Sequence, residues 1–171
     1  SVYDLHFGNF AGIFSKAVYF LLGLSLTIVS ATGINIWLRK RKHEDLINDI
    51  WLGIVWGFPL ALIIAAAIEL ILGIASASLF WSILVFTLVF CTYMKNADLC
   101  EQHLKLANML GAFSVVLIHT TVFIRDAFTY PSLLINALFL GYTVVILLLL
   151  KRDKILGNFS SSITKEVLTH K

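Results

Sequence analysis

The chain has 171 residues, of which 59% are hydrophobic and only 13% charged, and its formal net charge is +3. A soluble domain carries about twice that share of charge, and a single water-soluble core of this size cannot hide so much apolar surface. Lipid must be part of the solvent, and with 10 Gly and 2 Pro the chain is neither fibrous nor disordered.

A hydrocarbon core of ~30 Å needs about 20 apolar helical residues. The first such run is 17–38, without a charge. The second and third share a long stretch broken only by Glu69, and the small residues Gly73-Ile74-Ala75-Ser76-Ala77-Ser78 divide it into 50–73 and 78–94. The fourth run is 106–124 and contains His119; the fifth is 131–150 and opens on Pro131, whose missing N–H costs nothing in a first helical turn. Pro59 is expected to bend the second span. The runs are continuous rather than alternating, and helices satisfy the backbone within hydrocarbon, so helices are expected rather than a β-barrel. The fold class read here is an all-α integral membrane bundle of about five transmembrane helices. Residues 1–156 form the transmembrane domain, and 157–171 a polar cytoplasmic tail.

Basic residues set the direction. Eleven of the 13 Lys and Arg fall on one side of the expected membrane, from Arg39-Lys40-Arg41-Lys42 through Lys95 and Lys105 to the tail. Lys16 and Arg125 fall on the other. The N-terminus is expected outside and the C-terminus in the cytoplasm, with Trp37 and Trp51 in an inner interfacial belt and Tyr130 in the outer one. Charge that follows the loops is no signal for nucleic acid. Cys91 and Cys100 lack metal-ligand spacing and are expected as reduced thiols, with no disulfide framework. A chain that starts at Ser1 is read as processed or as a piece of a longer protein, the second being favoured.

Ionisable groups in a span need a reason. His119 lies near the outer end of the fourth span, and His6 lies outside the first on the same side. Two neutral imidazoles at one depth could supply both axial ligands of a b-type haem; alternatively, His119 bonds a neighbouring helix and His6 is solvated. His103 starts the fourth span at the inner edge. Sixteen residues separate it from His119, which turns the two about 160° apart on an ideal helix, so it is a weaker candidate for a second haem. His43 and His170 read as solvated. Glu69 reads equally as a proton relay or as an interfacial carboxylate. Gly23, Gly33 and Gly111 allow close approach of a helix or a porphyrin face. Asn35, Ser25, Ser30 and Thr32 add hydrogen-bonding capacity between helices.

The opening Asp4-Leu5-His6-Phe7-Gly8-Asn9-Phe10-Ala11-Gly12, followed by Gly23-Leu24 and Thr32-Gly33-Ile34-Asn35-Ile36-Trp37-Leu38-Arg39-Lys40-Arg41, resembles the PepSY-associated transmembrane family. The resemblance covers about the first 42 residues; beyond them it is mostly hydropathy. It implies a bacterial inner-membrane protein, similar to iron-regulated membrane proteins and ferric-siderophore reductases that carry haem b. It also implies a role for His6 in binding haem iron, with His119 following it by depth. Family members usually open with a further helix and periplasmic PepSY material, so a missing N-terminal segment or a partner subunit is implied here. The expected function is then electron transfer across the bilayer to a ferric-siderophore acceptor, from a quinone or a protein donor. The rivals are a non-enzymatic anchor or assembly partner of a PepSY-containing protein, and a small transporter subunit using Glu69 and Asn35.

Overall fold

The computed structural model describes residues 12–41, 46–73, 77–94 and 96–169. Among them every regular element is an α-helix. The chain divides into two compact units, Ser1–Asp45 and Leu46–Lys171.

The first unit contains helix α1, Gly12–Lys40. Its start is turned by Gly12 at φ 58°, a left-handed conformation that a residue without Cβ adopts at no steric cost. Ser25 and Thr27 would be costly in hydrocarbon. Their hydroxyls instead donate to the carbonyls of Leu21 and Gly23, both at 2.8 Å, so the helix satisfies them itself. Arg39 and Lys40 occupy the last turn, where cations complement the helix dipole. The Arg41 guanidinium lies 5.0 Å from the Trp37 ring centroid, an aromatic–cation pairing suited to a membrane interface.

The second unit is an up-down-up-down bundle of α2 (Leu46–Leu72), α3 (Ala77–Tyr93), α4 (Ala97–Val122) and α5 (Tyr130–Thr169). Helix α2 packs against α3 and α4, and α4 packs against α5. All five expected helices are present. Four of them, α1, α2, α4 and α5, are long and apolar enough to cross a membrane, which makes the chain a multi-pass membrane protein. Helix α3 has 17 residues, or about 25 Å of rise. Pro59 sits inside an unbroken α2.

The α2–α3 interface follows from three small residues spaced by four: Gly53, Gly57 and Ala61, all buried. Such a stripe lets helix backbones approach, and packing of this kind drives association where lipid removes the hydrophobic effect between helices. A Cβ on Gly57 would stand 2.7 Å from the Thr87 methyl carbon. One on Gly53 would stand 2.9 Å from Leu88 Cδ2 and 3.3 Å from the Leu88 backbone. Thr87 cannot readily rotate away, because its hydroxyl donates to the Ile83 carbonyl at 2.8 Å. Gly57→Ala is therefore expected to destabilise the bundle by about 1–2 kcal/mol through overpacking, measured as an earlier midpoint in reversible SDS unfolding. Ser82→Ala, on an exposed position of α3, serves as the neutral control.

Helix α4 begins nine residues before the expected span. Asn96 is its N-cap, with Oδ1 accepting the Leu99 N–H at 3.0 Å, and Asp98 sits in the first turn. The charged first turns lie outside any apolar window, which is why hydropathy placed the start at 106. Lys105 is consequently corrected from a loop cation to a buried helical residue. Helix α5 likewise continues beyond 150 and runs to Thr169.

Candidate functional site

Positions 101, 105, 108, 112, 115 and 119 of α4 advance by alternating steps of four and three, which keeps them on one helix face. That face is turned into the bundle. Lys105, Asn108, Ala112 and Val115 are buried along it, and His119 is half-buried at its end.

At one end Lys105 is held by two carboxylates. Its Nζ lies 2.6 Å from Asp153 Oδ2 on α5 and 2.7 Å from Glu101 Oε1 one turn back. The ammonium also stands 5.3 Å from the Trp56 ring centroid on α2. A buried cation is tolerated only when paired in this way. One turn on, Asn108 has no exposed surface. Its Nδ2 donates to the Trp56 carbonyl at 2.9 Å and to the Leu104 carbonyl at 2.8 Å, and its Oδ1 accepts from the Tyr142 hydroxyl at 3.0 Å. One amide thus ties α2, α4 and α5 together. Ala112, Val115 and Ile63 then form a dry layer, backed by Phe139 and Tyr142.

His119 follows, three residues before the end of α4. Its Nδ1 lies 2.9 Å from Asn136 Oδ1 on α5. The other end of that amide is committed, since Asn136 Nδ2 donates to the Ala127 carbonyl at 3.3 Å. An imidazole held through Nδ1 by a neighbouring oxygen is an arrangement that orients Nε2 toward a metal, so His119 could serve as one axial ligand of a haem iron.

The other histidines are placed differently. His103 is exposed, with Nδ1 2.7 Å from the Leu99 carbonyl of its own helix. It lies away from the inward face, as the 160° rotation from His119 requires. His6, with His43 and His170, lies outside the described residues. Glu69 is exposed near the end of α2. Gly111 meets α2, where an added Cβ would stand 3.0 Å from Ile63 Cγ2. Among the described residues no three His, Cys, Asp or Glu side chains converge as a metal cluster; an axial haem ligand requires only a single imidazole from this unit. Asn108, Asn136 and Tyr142 escaped the sequence reading. Amides in apolar spans were the available signal, because a polar group in hydrocarbon must find a partner.

Residues 1–40 match the family model of the PepSY-associated TM region. The family read from the opening motif is thus the one matched, and the matched stretch holds His6 and α1. No curated protein and no solved structure matches the chain.

Proposed function

We propose that this chain, whose residues 1–40 are a PepSY-associated transmembrane region, is a haem b-binding electron-transfer module of a bacterial inner membrane. The observation that carries the reading is the Asn136–His119 pair, in which the amide oxygen holds the ring at Nδ1 and leaves Nε2 as the atom that could ligate. A bound haem b would supply one-electron redox chemistry within the membrane. Asn136 holds the His119 ring, and an apolar layer of Ala112, Val115 and Ile63 lies beneath it. On the strength of the family motif His6 is a further candidate haem ligand, and His103, turned away from the face that holds His119, is the weaker candidate for a second haem. The acceptor outside would be a ferric chelate such as a ferric siderophore. Its reduction loosens iron from hard oxygen ligands, because ferrous iron carries less charge and binds them less strongly. The electron donor would be a quinone or a partner protein.

The test is the reduced-minus-oxidised absorption spectrum of the purified chain expressed with ample haem, followed by ferrous-iron trapping with a ferric siderophore as acceptor. A sharp reduced α-band with stoichiometric haem supports the module, and trapped ferrous iron supports the acceptor. Folded protein without haem sinks the reading for this chain. A second reading, a non-catalytic anchor or assembly partner of a PepSY-containing protein, is favoured by Lys105 and Asn108. Both find their partners within the bundle and need no ligand to satisfy them.

A further inference from the structure

Cys91 and Cys100 stand on either side of the turn between α3 and α4, nine residues apart, with their sulfurs 3.0 Å from each other. Both are free thiols, and they are 1% and 0% exposed. Leu104 completes their core, and Trp56, Leu60, Phe90 and Met94 pack around it. A disulfide has its sulfurs at about 2.05 Å, so closing the pair requires a movement of about 1 Å, within the reach of small side-chain rotations.

We propose that Cys91 and Cys100 form a redox-active dithiol, closed to an intramolecular disulfide by a lipid-soluble quinone. The surroundings decide which oxidant can serve. With both sulfurs buried, a water-borne disulfide cannot make the sulfur-to-sulfur contact that exchange requires. A quinone partitions into the same layer as the helices and accepts hydrogen together with electrons. Two S–H bonds break and one S–S bond forms. The two protons and two electrons pass to the two carbonyl oxygens of the quinone, which leaves as the quinol. The disulfide then tethers α3 to α4 beside Trp56. This inference rests on the sulfur geometry and the burial of the pair and is independent of haem.

The experiment uses the full chain in liposomes with tetramethyl-1,4-benzoquinone, whose fully substituted ring resists sulfur addition. After treatment the protein is denatured in SDS and its thiols are labelled with a polymer-linked maleimide. The chain has two cysteines, so untreated protein carries two labels. Treated protein is expected to carry none, to migrate as a monomer without reductant, and to weigh two hydrogens less. Dithiothreitol restores both labels. Cys91→Ser and Cys100→Ser are each expected to keep their single label under the same treatment. Two labels persisting in treated wild type would overturn the proposal. So would disulfide-linked dimers, or label loss in the single-cysteine variants as fast as in wild type.

Discussion

His119→Ala is expected to abolish the reduced α-band of the haem-loaded protein while leaving its elution and helix content unchanged. The side chain lies at the end of the inward face of α4 and is half-buried, so its loss removes a ligand without emptying the core. Asn136→Leu separates ligation from positioning. It removes the amide oxygen 2.9 Å from Nδ1, and loss of such a supporting partner costs roughly 10–100-fold in metal affinity. The α-band should therefore return at high haem concentration in Asn136→Leu but never in His119→Ala. Asn136→Asp keeps an oxygen on Nδ1 and should retain haem with a more negative midpoint potential, since a carboxylate raises the basicity of the imidazole. His6→Ala tests the second ligand. A high-spin spectrum with the haem retained would show that His6 ligates haem iron, and an unchanged spectrum would assign that ligand elsewhere. Equal haem content in His119→Ala and wild type would remove the basis of the proposed function.

The second large effect is expected at Asn108. Asn108→Leu nearly preserves volume but deletes three hydrogen bonds and strands the Tyr142 hydroxyl. A buried group left without a partner costs about 1–3 kcal/mol, so a loss of about 3 kcal/mol is expected in reversible SDS unfolding. Tyr142→Phe alone should cost about 1 kcal/mol, near the values measured for hydrogen bonds between membrane helices. The double variant Asn108→Leu, Tyr142→Phe should be more stable than Asn108→Leu, because the phenyl ring has no hydroxyl to satisfy. A double variant as unstable as the sum of the two singles would show that the amide does not couple α4 to α5.

Lys105 illustrates why stability and composition point in different directions. It counts among the basic residues that fixed the expected direction of the chain, yet its ammonium is enclosed by Asp153, Glu101 and the Trp56 ring. It therefore contributes little to surface charge, whereas Arg39, Lys40, Lys151, Arg152 and Lys154 are exposed.

The sequence by itself determined the helices, because hydropathy is local: a run of apolar residues must be helical in lipid whatever its neighbours are. It also singled out His119, since one imidazole in an apolar run is visible without coordinates, and the opening motif pointed to the family whose model residues 1–40 match. Helix starts were less legible. The cap at Asn96 and the charged turns after it extend α4 beyond its apolar window. Only the tertiary structure decided which polar groups meet. Asn136 is 17 residues from His119, Tyr142 is 34 from Asn108, and Asp153 is 48 from Lys105. Each pairing depends on the rotation and register of α4 and α5. Those are set by packing at residues such as Ala112 and Val115 and, between α2 and α3, by Gly53 and Gly57. No run of residues along one helix encodes the face that its neighbour presents, so the pairing of His119 with Asn136 and the contact of the two thiols emerge only once the bundle has packed.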